Sequence, residues 1–141
     1  MEKKTTCDIE RALAGSESLD GFLRENEEEF TDGALRELLQ RLFDRRGISK
    51  AALAQESGMS EIYLHQIFAG RRSPSRGRLI SLSFGLRATL EETQELLRRA
   101  SLARLYARRR RDAIIIYGLT HGLGLFEVND RLFTEGEETL F

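Results

Sequence analysis

The side chains of this chain that are placed to do chemistry would do it by holding a partner rather than by breaking bonds. Arg71 and Arg72 directly follow Gly70, at the end of the stretch ISKAALAQESGMSEIYLHQIFAGRR from Ile48 to Arg72. The stretch reads as two short helices joined by a tight turn, then a glycine stop and two cations. That order suits a second helix lying in a major groove of DNA, with guanidinium groups beside it to grip phosphates. Covalent chemistry finds no such support. No histidine or cysteine cluster has metal-ligand spacing, and no nucleophile elbow, Walker loop or dinucleotide glycine pattern occurs. Gly122-Leu123-Gly124 lacks a third glycine and a preceding strand. His121 reads as a surface side chain at a helix end. No catalytic residue, metal or cofactor is expected, and the chain is not expected to be an enzyme.

The elements that must position these groups are helices. The chain has 141 residues, 40% of them hydrophobic, with one proline and abundant Leu, Arg and Glu. That composition favours helix throughout and suffices for one small core with extensions. No apolar run approaches the ~20 residues of a membrane span, and Cys7 is a lone cysteine, so a cytoplasmic protein with no membrane partner is expected.

Leu35, Leu38, Leu39, Leu42 and Phe43 give the stripe of an amphipathic helix, opened by Asp32 as N-cap and stopped by Gly47. Ser49 caps the next helix, which turns Ala52 and Leu53 inward. Gly58 makes the turn. Ser60 caps the helix that turns Leu64, Ile67 and Phe68 inward. Ser73 and Pro74 are read as N-cap and first helical residue of the following helix. Thr89 to Glu92 has capping-box spacing and opens a helix through about Ala100. Before these, Ile9 and Leu13 mark one short helix. Leu19, Phe22 and Leu23 mark another, ending near Glu27-Glu28-Glu29.

The net charge of −1 conceals segregation. Residues 1–33 hold four cations and ten anions, residues 34–111 hold 17 and seven, and residues 112–141 hold one and six. The net charges are therefore −6, +10 and −5. The middle segment alone has the basic excess of a DNA-contacting domain. The acidic N-terminal extension reads in two ways: as a segment that folds back on the basic core, or as a cover for apolar surface through Leu19, Phe22 and Leu23.

A repeat at an offset of 35 residues pairs Arg76 with Arg111, Leu79 with Ile114, Ile80 with Ile115, Leu90 with Leu125 and Glu92 with Glu127. It continues through Leu97 and Leu132, Leu105 and Leu140, and Tyr106 and Phe141. Each copy reads as a helix, a turn and a helix. The run Arg108 to Arg111 reads as a phosphate site or as a solvated linker. Ile114 to Tyr117 is apolar on more than one face, so it docks on the core or builds a dimer interface.

From Ser49 to Pro74 the sequence resembles the lambda-repressor-like, Cro-like helix-turn-helix family. The signs are Ile48-Ser49, Leu53-Ala54, the turn Ser57-Gly58-Met59-Ser60, Ile67-Phe68-Ala69-Gly70 and Arg72-Ser73-Pro74. The resemblance covers about residues 34–100. A second likeness, to bacterial regulators of that family with a C-terminal RRDAIIIY-type helix pair, covers most of the chain. The resemblance implies an all-α fold: a five-helix helix-turn-helix domain at 34–100, an acidic extension at 1–33, an Arg-rich linker at 101–111 and a helix pair at 112–141.

It also implies roles by position. Ser60 to Ala69 would be the recognition helix, presenting Glu61, Ile62, His65 and Gln66 to base edges. Gln66 can pair with adenine, and Ile62 can touch a thymine methyl. Ser49, Lys50, Tyr63, Arg71, Arg72 and Arg76 would hold phosphates. Glu61 departs from the family's usual neutral or basic residue. A carboxylate there repels phosphate, accepts from cytosine N4, or only favours the positive end of its own helix. The implied function is sequence-specific binding of double-stranded DNA by a transcriptional repressor, acting as a homodimer. The alternative is a protein-interaction adaptor or antitoxin-like partner on the same scaffold.

Overall fold

In a computed structural model the described residues, 4–27 and 30–141, form nine α-helices and no strand. They are α1 (Thr6–Gly15), α2 (Leu19–Glu25), α3 (Thr31–Arg46), α4 (Lys50–Glu56), α5 (Glu61–Phe68), α6 (Arg76–Gly85), α7 (Leu90–Arg99), α8 (Arg110–Thr120) and α9 (Leu125–Thr134). Serine and threonine oxygens start most of them by accepting an orphan backbone N–H. Ser49 Oγ accepts from Ala52 N and Ser60 Oγ from Tyr63 N, each at 3.1 Å. Thr89 and Glu92 close a reciprocal capping box. Glu28 and Glu29, read as part of the run closing the second helix, lie outside the described residues.

Two expected helix starts are corrected. The helix after the arginine pair opens at Arg76, not at Pro74, because Ser75 supplies the cap: its Oγ accepts from Arg78 N at 3.3 Å. Pro74 is buried outside the helix, and a residue before proline, here Ser73, is held extended rather than helical. Likewise α3 begins at Thr31 after the N-cap Phe30, which puts Asp32 inside the first turn instead of at the cap.

Helices α3 to α7 enclose the main core. Leu38, Leu39 and Leu42 of α3 meet Leu53 of α4, Leu64 and Ile67 of α5, Leu79, Ile80 and Leu82 of α6, and Leu96 and Leu97 of α7. Helices α4 and α6 approach so closely that a Cβ on Gly85 would fall 2.0 Å from Ser57 Oγ. Two arginine contacts lock α3 to its neighbours: Arg45 pairs with Glu92 of α7 at 2.6 Å, and Arg46 Nε donates to the Gly85 carbonyl at 3.2 Å.

The 35-residue echo is structural. Shifted by that offset, α6 and α7 fall on residues 111–120 and 125–134, the extents of α8 and α9 but for one residue. The hydrogen bonds shift with them. Arg76 Nε donates to the Ala103 carbonyl and Arg111 Nε to the Glu138 carbonyl, both at 2.8 Å. Leu105 N donates to Gln94 Oε1 at 2.8 Å, and Leu140 N to Asn129 Oδ1 at 2.6 Å. The left-handed backbone recurs too, at Arg87 (φ +52°) and Gly122 (φ +69°), and at Ser101 (φ +58°) and Gly136 (φ +74°). Each copy is thus a helix hairpin closed by an extended strap, and chance likeness of amphipathic helices does not reproduce such bonds. The second copy docks on the first through Ile115, Val128 and Leu132, which join the same core as Phe84. Gly118 allows the approach, since a Cβ there would lie 2.3 Å from a Val128 methyl.

The N-terminal extension is attached more lightly. Phe22 is buried with its ring edge-on to Phe30, and Lys4 Nζ donates to Asn26 Oδ1 at 2.6 Å. Leu19 and Leu23, expected to cover apolar surface with Phe22, are exposed. Among the described side chains, no acidic residue of the extension forms an ion pair with the basic core.

Candidate nucleic-acid interface

Helix α5 is held by its inward side, so its outward residues follow from the helical period. Leu64 and Ile67 are fully buried. One turn away Ile62 is 74% exposed, an apolar side chain that the fold leaves uncovered. Glu61 and His65 are exposed beside it, with His65 Nε2 3.4 Å from Glu61 Oε1. That contact engages the Glu61 carboxylate along its own helix. Gln66 is half-buried and accepts from Arg72 Nη1 at 3.4 Å. The structure therefore brings all four expected base-facing residues onto one side of α5.

The cations around α5 are positioned by aromatic faces as well as by charge. Arg72 lies over the Tyr63 ring at 5.0 Å, and Arg78 approaches the same ring at 5.7 Å. Lys50 Nζ stands 5.1 Å from the Phe68 ring centroid and 5.9 Å from that of Phe43. A ring beneath a cation fixes its position without neutralising it, so the charge stays available to an anion. Arg71 is exposed, and Ser49 lies at the start of α4 with Lys50 next to it.

Arg76 has a different task from the one expected. Its guanidinium donates to the Ala103 and Arg104 carbonyls and to both oxygens of Asp112, with Nη2 3.0 Å from Asp112 Oδ2. With those donors committed, Arg76 pins the second hairpin to the first and is withdrawn from the phosphate set. Several other cations of the basic segment are also spent on structure: Arg45, Arg46, Arg98 and Arg99 all pair with glutamates of the core. Arg45 and the cap at Thr89 hold the Glu92 carboxyl down at about 2, and Arg98 and Arg99 do the same for Glu95.

Three participants escape a reading of the sequence. Arg78 bridges Tyr63 and the turn, donating to the Gly58 carbonyl at 3.2 Å. Asp112 has no echo in the first copy, where Gly77 stands, so the repeat did not flag it. Phe141 packs on the turn itself: a Cβ on Gly58 would sit 3.0 Å from its ring. The second hairpin thereby braces the turn that sets the angle between α4 and α5.

Helices α4 and α5, the turn at Gly58 and the flanking α3, α6 and α7 define a helix-turn-helix domain. Residues 34–96 match the family described as helix-turn-helix domain, the type the resemblance at Ser49 to Pro74 implied, and through that segment the chain belongs to it. No curated protein and no solved structure matches the chain.

Proposed function

We propose that the protein is a sequence-specific DNA-binding transcriptional repressor that lays α5 in a major groove. The observation that carries this reading is the outward side of α5. There an uncovered Ile62 stands with Glu61, His65 and Gln66, between Lys50 on one side and Arg71 and Arg72 on the other. Ile62 and Gln66 are suited to thymine methyl and adenine edges. Ser49, Lys50, Tyr63, Arg71 and Arg72 would hold the phosphates on either side. Two-fold pairing on half-sites about 34–36 Å apart would suit such a domain. No helix among the described residues is long and apolar enough to cross a membrane, and the reading places the protein in the cytoplasm. Selection from random duplex DNA tests it: a recurrent motif is expected, bound with an affinity that falls steeply as salt rises.

A protein-interaction adaptor, or antitoxin-like partner, is favoured by one feature of α9. Phe126 and Phe133 are exposed, Phe133 by 77%, at the positions where the first hairpin carries the charged residues Glu91 and Arg98. A stoichiometric protein partner retained without DNA would support that reading.

A further inference from the structure

Between Ser101 and Arg111 the chain carries five arginines and no carboxylate. The fold gathers them where the two hairpins meet. Arg104, Arg109, Arg110 and Arg111 line one concavity with Arg76, against only two carboxylates, Asp112 and Glu137. Asp112 is already held by Arg76, Arg110 pairs with Glu135 at 2.5 Å, and Arg111 is turned onto the Glu138 carbonyl. Arg104, Arg108 and Arg109 are exposed, and none of the three side chains has a hydrogen-bond or ion-pair partner among the described residues. A folded surface that pairs most of its core arginines elsewhere leaves these three unpaired at one place.

That place is next to the candidate interface. Arg76 opens α6 four residues beyond Arg72, and its Nη2 lies 3.2 Å from the Arg104 carbonyl. The loop therefore stands one guanidinium from the end of the segment that follows the recognition helix. We infer that Arg104, Arg108 and Arg109 form a second phosphate grip, which holds the DNA backbone beyond the stretch covered by the helix-turn-helix. Planar guanidinium groups suit phosphate oxygens, and contacts of this kind position a protein on the duplex without reading sequence. The inference rests on the DNA-binding reading given above and adds to it a contact made outside residues 34–96.

The test uses the full chain with Arg104, Arg108 and Arg109 all changed to Gln. A duplex selected from random sequence is compared with the same duplex extended at each end by about one helical turn, ~10 base pairs. On the extended duplex the variant is expected to bind more weakly than the unaltered chain, with the slope of log affinity against log salt reduced by about two to three units, near 0.9 per phosphate released. On the short duplex the two proteins should bind alike. Thermal unfolding should be unchanged, because the three side chains hold nothing in the fold. An unaltered slope on the extended duplex, while Arg72→Ala still weakens binding there, would overturn the second grip and leave the DNA-binding reading standing. Loss of inorganic pyrophosphate binding in the triple variant with no change in the DNA slope would assign the site to a free anion and overturn it as well. Failure of the unaltered, folded chain to bind any duplex at low salt would overturn both.

Discussion

Arg76 and Asp112 meet at 3.0 Å across 36 residues of chain, and the Asp112 side chain is only 4% exposed. One carboxylate thus takes both guanidinium nitrogens of Arg76 and also accepts from Tyr106 N at 2.9 Å. The pair joins the first hairpin, the strap that follows it and the first turn of the second hairpin.

Breaking that pair should unfold the junction rather than merely weaken DNA binding. Arg76→Ala strands a buried carboxylate, with an expected cost of roughly 3 kcal/mol, the low end for a buried pair because Arg76 remains a quarter exposed. Urea denaturation measures it. Native stability combined with a reduced salt slope on DNA would return Arg76 to the phosphate contacts.

Substitutions on the outer side of α5 should separate reading from gripping. Gln66→Ala is expected to change base preference at one position by about 1–3 kcal/mol. Arg72→Ala should weaken binding to all sequences and lower the salt slope by about one. Because Arg72 also donates to Gln66, the two changes should be less than additive in a double-mutant cycle.

Gly85→Ala should be destabilising by about 1–3 kcal/mol, since its Cβ has no room beside Ser57 Oγ. Ser57 Oγ is buried without a hydrogen-bond partner, so Ser57→Ala alone should cost little and should relieve part of the Gly85→Ala penalty. Thermal melts of the single and double variants check both expectations.

Acid should weaken the α3–α7 junction through Glu92. Its folded carboxyl titrates at about 2, below the ordinary 4.5, because Arg45 and the Thr89 cap favour the charged form. A depressed carboxylate contributes stability that is complete above its unfolded value and is lost as pH falls from about 4.5 toward 2. Glu92→Gln should therefore lower stability at neutral pH, and the gap to the unaltered chain should close in that acid window. A gap that stays constant with pH would remove Glu92 from the account.

Much of this architecture was legible because it is local. Leucine stripes, serine caps and glycine stops act within a few residues, and they marked α3, α4, α5 and α7 and the side of α5 that faces out. The repeat was legible for the same reason, since each hairpin carries its own stripe and strap. What stayed hidden depends on contacts distant in sequence. Ser73 and Ser75 are equal as caps until the burial of Pro74 decides between them. Arg76 looks like its neighbours Arg71 and Arg72 until the strap carbonyls and Asp112 come round to meet it. The brace of Phe141 on Gly58 joins two residues that no periodicity relates.

The most direct test is a salt titration of the full chain on a duplex recovered by selection from random DNA, with Gln66→Ala alongside. Sequence-dependent binding with a steep negative salt slope, and a changed preference in the variant, is the predicted result. A folded chain that enriches no motif and shows no salt-dependent binding at low ionic strength would contradict the central claim.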